Sequence, residues 1–206
     1  MTKPAIKGTL FSAVVDDLNR GVDSGAISHA ELETELSADE LALLDEKINA
    51  TSWYCIHSYH RMVGLLCRAE GGGLEDYWHQ RGMRAADRMV DAGIYQQMDY
   101  IGRIQSSQER DPSARFRALA KDLRLLLSVH ASVLNFGDWK TVVDPDHDDR
   151  YRVEIKNVDG IPDGIFLAAT GMFNRMSALA KSRKPHRWEF ARVASDFVVI
   201  RMTGPV

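Results

Sequence analysis

The sequence is poor in the residues and patterns that mark specialised chemistry. Only two cysteines occur, Cys55 and Cys67, too few for a disulfide framework. Placed on one helix they stand roughly 18 Å apart at about 1.5 Å per residue, beyond disulfide reach. Free thiols, and with them a cytoplasmic location, are expected. Neither sign of charge is in excess: 26 Lys and Arg stand against 29 Asp and Glu, a net charge of −3. That balance gives no footprint for nucleic acid or an anionic membrane. The most apolar stretch, Leu123 to Leu134, is interrupted by Arg124, Ser128, His130 and Ser132 and is far short of the roughly 20 residues a membrane span needs. The opening Met1-Thr2-Lys3-Pro4-Ala5-Ile6 lacks the apolar core of a signal peptide. There is no Gly-x-Ser-x-Gly, P-loop, Gly-x-Gly-x-x-Gly or Cys-x-x-Cys, so no catalytic residue is assigned and no enzyme is expected. No repeat or low-complexity linker divides the chain, which reads as a single domain over 1–206.

What is present is helical periodicity, then alternation. The organising stretch runs from Trp53 to Met98. Cys55, Ile56, Tyr59, Met62, Val63 and Leu66 recur at spacings of three and four, the period of one helix face. Gly71-Gly72-Gly73 breaks that helix. A second helical pattern carries Tyr77, Trp78, Ala85, Ala86, Met89 and Val90 on one side and Arg81, Arg84 and Arg88 on another, until Gly93 ends it. The pair reads as an αα-hairpin with apolar faces meeting. Its Met and aromatic side chains equally suit a pocket lining.

Before this pair, Ile6 to Phe11 reads as a short strand and Ser12 as the start of a helix ending near Gly21. Ser28-His29-Ala30-Glu31 and Ser37-Ala38-Asp39-Glu40 have the form of capping boxes and open helices at about 29–35 and 38–48. After it, Ile94, Met98, Ile101 and Ile104 mark a further helix. Asp111-Pro112 is a strong helix start. That helix runs to about Leu134, with Phe116, Leu119, Leu123, Leu126, Leu127, His130 and Leu134 on its apolar face. Alternation then predicts strands at Trp139–Val143 and Tyr151–Lys156, and a hairpin of Trp188–Ala194 and Phe197–Met202 around Ser195-Asp196. Between them, Ile161 to Lys181 is a helix with the stripe Ile165, Phe166, Ala169, Met172, Phe173, Met176 and Leu179. Grouped helices followed by β-β-α-β-β predict an α+β fold, helical over about 1–137 and mixed over about 138–206.

Four clusters invite chemistry. Asp144, Asp146 and Asp148 match the first ligand positions of a calcium loop, but Asp149 stands where that loop needs glycine and Ile155 where it needs glutamate. An exposed acidic turn is expected, and no metal site. His57 and His60 share one helix side without a further ligand set and read as a partly exposed pair. Arg81, Arg84 and Arg88 read as a solvated face, as do Lys181, Arg183, Lys184, His186 and Arg187 past a helix C-terminus. His130 lies inside an apolar helix face, where a neutral imidazole serves either as a core residue or as a haem ligand. The core role is preferred.

Lys7-Gly8-Thr9-Leu10-Phe11, Ile48-Asn49-Ala50-Thr51-Ser52-Trp53-Tyr54, the glycine run and Arg81-Gly82-Met83-Arg84-Ala85-Ala86 resemble a paralogous family abundant in myxobacteria. The closing strand, helix and hairpin are similar to the vinyl-reductase-type small-molecule-binding domain, and more distantly to haem nitric-oxide-binding domains. The resemblance covers most of the chain. It implies a sensor-like α+β fold, often dimeric, with a pocket between helices and sheet. In the hairpin region Ala191, Ala194 and Ser195 replace cysteines common in the vinyl-reductase pattern, so metal or thiol chemistry is not implied there. The Tyr-x-Ser-x-Arg signature of the haem domains is absent.

These readings converge on a non-catalytic cytoplasmic sensing or regulatory domain for a small apolar molecule, acting as a homodimer or with a protein partner. Tyr59, Met62, Trp78, Met89, His130 and Phe173 are the expected ligand-binding residues. No cofactor is expected, haem being the lesser alternative. A protein scaffold without a small ligand ranks second and a haem-based gas sensor third.

Overall fold

The computed structural model describes residues 3–70, 74–91, 111–179 and 187–206. The helix expected around Ile94 to Ile104, the glycine run and the basic cluster Lys181 to His186 lie outside these residues. The architecture is α+β. Two compact units divide the chain, unit 1 comprising Met1–Tyr77 with Ala131–Phe136, and unit 2 comprising Trp78–His130 with Gly137–Val206.

Unit 1 begins with a short strand, β1 (Ala5–Lys7), paired antiparallel with β2 (Trp53–Cys55) so that Ile6 faces Tyr54. Both were expected differently: the first strand ends at Lys7, and the second replaces the start of the helix expected from Trp53. As a result Cys55 lies on a strand and is exposed, while Cys67 is buried on a helix, and neither is in a disulfide. Helix α1 (Gly8–Asp23) starts four residues before the expected Ser12. Its N-cap Lys7 makes no side-chain cap. The carbonyls of Ser52 and Ala50 instead accept from Gly8 N at 2.9 Å and Thr9 N at 3.2 Å, satisfying the orphan donors of the first turn. A side chain at Gly8 would place its Cβ 2.0 Å from the Asn49 carbonyl oxygen, so glycine here permits close approach and does not stop a helix.

Helices α2 (His29–Glu35) and α3 (Ala38–Asp45) carry complete capping boxes on Ser28 with Glu31 and Ser37 with Glu40. The chain leaves α3 three residues before the expected end. Helix α4 (Ile56–Glu70) buries Ile56, Tyr59, Met62, Val63 and Leu66. Phe11 is fully buried, stacked on Tyr54 with ring centroids 4.6 Å apart.

Unit 2 contains most of α5 (Leu74–Asp91), most of α6 (Pro112–Val133), and α7 (Asp163–Leu179). Its antiparallel sheet has the order β3-β4-β6-β5, from β3 (Asp138–Asp144), β4 (His147–Lys156), β5 (Trp188–Ala194) and β6 (Phe197–Met202). One sheet face is apolar: Val153 pairs with Ile200, and Ile200 with Phe190. Helix α7 packs on it, with Phe166 stacked on Phe190 at 6.1 Å and Phe173 beside Trp188 at 5.3 Å. Helices α5 and α7 meet backbone to backbone. A Cβ at Gly82 would lie 1.8 Å from the Ala168 carbonyl oxygen, and one at Gly171 2.0 Å from that of His79; only glycine allows this approach.

Candidate functional site

His130 occupies the centre of unit 2. Helix α6 carries it one helical turn after Leu126, whose carbonyl oxygen lies 3.0 Å from Nδ1. Since a carbonyl can only accept, Nδ1 holds the proton and Nε2 the lone pair. The ring stacks on Phe173 of α7 at 5.4 Å and tilts against Trp139 of β3 at 5.1 Å. It is 2% exposed, and Nε2 is enclosed without a hydrogen-bond partner. Burial lowers its pKa to about 4, against a smaller upward pull from the Leu126 carbonyl. The imidazole is therefore neutral at pH 7. Phe166 and Trp188 extend the same cluster.

The six expected ligand-binding residues are all buried. Tyr59 and Met62 belong to the core of unit 1; Trp78, Met89, His130 and Phe173 belong to unit 2. Of these, the structure brings His130 and Phe173 into ring contact. Trp78 underlies α7, where a Cβ at Gly164 would meet its indole at 2.4 Å. The sequence offered no signal for Trp139 and Trp188, because they reach the cluster from strands distant along the chain. Asn174 was likewise missed. Its Oδ1 accepts from Trp188 N at 2.7 Å, and its Nδ2 lies 2.8 Å from His79 Nε2.

A half-open cleft of about 520 Å³ lies within unit 1 between α2 and α4, with Ile27 and Leu65 among its walls and Glu31, Glu35 and Arg68 also lining it. None of the six expected residues lines it. Arg68 and Glu35 are paired there at 2.9 Å.

Two expectations about charge are corrected. The acidic turn is not exposed throughout: Asp144 is 2% exposed, and Arg201 Nε reaches its Oδ2 at 3.0 Å while Nη2 reaches Asp146 Oδ2 at 3.2 Å. The guanidinium occupies the cation's place, since a buried carboxylate needs a counter-charge. Nor do the arginines of α5 form a uniformly solvated face. Arg84 and Arg88 are exposed, but Arg81 is 6% exposed. His57 and His60 are half-buried, and desolvation lowers the His60 pKa, helped by His57 and Arg61. Among the described residues no group of three or more His, Cys, Asp or Glu side chains is arranged to hold a metal ion. Among them no helix is long and apolar enough to cross a membrane.

Unit 1 has its own buried ionic site. Glu40 of α3 is 4% exposed and accepts from Arg61 Nε at 3.1 Å and from Ser37 N at 2.9 Å. Burial raises its pKa, but hydrogen bonds from Arg61, Ser58 and Ser37 outweigh it and hold the carboxyl at about 2.

No protein-family model matches the chain, and no curated protein matches it either. Solved structures do. The Fe(II) unliganded H-NOX protein from K. algicida has a TM-score of 0.59 at 9% identity, over 96% of this chain and 95% of that one. An H-NOX protein from S. oneidensis in the Fe(II)NO ligation state gives 0.55 at 9% identity, over 96% and 98%. A structure concerned with modulating heme redox potential through porphyrin distortion gives 0.52 at 12% identity, over 96% and 99%. The chain has an H-NOX-like fold along almost its whole length.

Proposed function

We propose that this chain is a non-catalytic sensing or regulatory domain that binds a small apolar molecule. The observation that carries the reading is the H-NOX-like fold over 96% of the chain, shared with a protein solved in an Fe(II)NO ligation state. A fold by itself does not fix function. What adds weight is an interior in which Met and aromatic side chains stand among the aliphatic ones, with the buried His130 neutral. The chain is read as one domain over 1–206 that works in the cytoplasm as a homodimer or with a protein partner, related to vinyl-reductase-type binding domains and to the myxobacterial paralogues. The proposed contacts are either Tyr59 and Met62 within unit 1 or Trp78, Met89, His130 and Phe173 within unit 2.

Native mass spectrometry of protein purified from its native host tests this. A retained small-molecule mass that extracts into organic solvent is the expected result. Met62→Ala and Met89→Ala, compared separately, then locate the ligand by which variant loses it. A ligand-free homodimer would replace this reading with that of a protein scaffold. A haem mass would replace it with a gas sensor, the alternative that the H-NOX-like fold favours.

A further inference from the structure

We infer that His130 is not an iron ligand but a neutral ring of the unit 2 core, and that none of the described histidines of unit 2 takes haem. The inference rests on the geometry around the ring and stands independently of which small molecule the protein senses.

An axial histidine needs an unprotonated Nε2 presented to an open space that a porphyrin can fill. His130 meets the first condition. Its Nδ1 hydrogen bond to Leu126 O at 3.0 Å fixes the required tautomer. It fails the second. Nε2 is enclosed, the ring is 2% exposed, and Phe173 and Trp139 pack against it from α7 and β3. Phe173 is itself 1% exposed and pinned by Trp188. Admitting a porphyrin would mean dismantling the contact between α6, α7 and the sheet that forms this core.

The other described histidines of unit 2 do not substitute. His79 Nε2 is taken by Asn174 Nδ2 at 2.8 Å, a bond that joins α5 to α7 and continues to Trp188. His147 begins β4 and is exposed beside the β3–β4 turn. The fold of the H-NOX structures is thus combined here with a core closed by its own rings. What His130 contributes is shape: a flat side chain that fits between two aromatic groups. Its Nε2 is left without a hydrogen bond, a cost that an apolar ring of similar size does not carry.

Hemin titration of the full-length protein, followed by Soret absorption, tests the inference. The expected result is no stoichiometric Soret shift in the unaltered chain. The thermal midpoints of His130→Leu and His130→Phe should be unchanged or higher without any haem. A stoichiometric band that is lost in His130→Leu, and restored in His130→Gly by added imidazole, would overturn it. So would a band lost in His79→Leu or His147→Leu. A band that survives all three leucine variants places haem outside the described histidines of unit 2, which contradicts the apolar-ligand reading above but upholds this inference. If the His130 variants do not fold, the titration of the unaltered chain still decides: a stoichiometric band in it then counts against the inference.

Discussion

Glu40 of unit 1 and His130 of unit 2 are both buried titratable groups, and the two are treated in opposite ways. Unit 1 keeps Glu40 ionised by surrounding it with donors from Arg61, Ser58 and Ser37. Unit 2 keeps His130 neutral and leaves Nε2 without any partner. A carboxylate inside a protein is tolerable only with compensating charge and hydrogen bonds. A neutral imidazole costs far less, so aromatic packing can hold it. Unit 1 thus carries an ionic link between α3 and α4, and unit 2 surrounds its imidazole with ring contacts.

The largest effect that should separate the units is in the rings. Phe173 is 1% exposed between His130 and Trp188, and Phe173→Ala should destabilise by about 3–5 kcal/mol. Chemical denaturation measures this; a loss under about 1 kcal/mol would mean the ring lines an existing cavity.

Next comes the response to acid. His130 has a pKa of about 4 when folded, against 6.5 ordinarily. The unfolded chain takes up a proton first as pH falls, so stability is complete above pH 6.5 and declines toward pH 4. The full loss is about 3 kcal/mol, at about 1.4 kcal/mol per pH unit. Glu40 titrates lower: its contribution is complete above pH 4.5 and is lost toward pH 2. Acid should therefore loosen unit 2 before unit 1. Trp139 and Trp188 fluorescence should change between pH 6.5 and 4, and His130→Leu should abolish that change.

Glu40→Gln should cost about 1–3 kcal/mol, through a lost ion pair and a weakened capping box. Urea unfolding followed by helical circular dichroism reads it, and no added loss below pH 4 should remain in the variant. The smallest effect is expected at Ser28, whose box on α2 is exposed. Ser28→Ala should lower stability by about 1 kcal/mol, measured the same way.

How far the sequence disclosed this structure depends on the range of the forces involved. The β5–β6 hairpin falls at its expected boundaries because alternation and the Ser195-Asp196 turn are local signals. The start of α6 at Pro112 and both capping boxes are legible for the same reason. Strands β1 and β2 have three residues each, too few to show a period, and their pairing joins segments far apart in the chain. Burial of charge was equally hidden. Glu40, Asp144 and Arg81 look like surface residues in sequence, and for Glu40 and Asp144 only the placement of Arg61 and Arg201 makes burial affordable. At the candidate site, the position of His130 on an apolar helix face was readable. Phe173 was named with it, from the apolar stripe of its own helix, but Trp139 was not, since it arrives from a strand whose pairing the sequence does not show.

The central claim is that unit 2 is built around a neutral, unligated imidazole. Nitrogen-15 NMR of the histidine rings in the full-length protein, titrated from pH 7 toward pH 4, tests it most directly. His130 should show a protonated Nδ1 and an unprotonated Nε2 at pH 7, with no paramagnetic shift when hemin is added. A doubly protonated ring at pH 7, or a His130 signal lost to bound iron, would contradict the account.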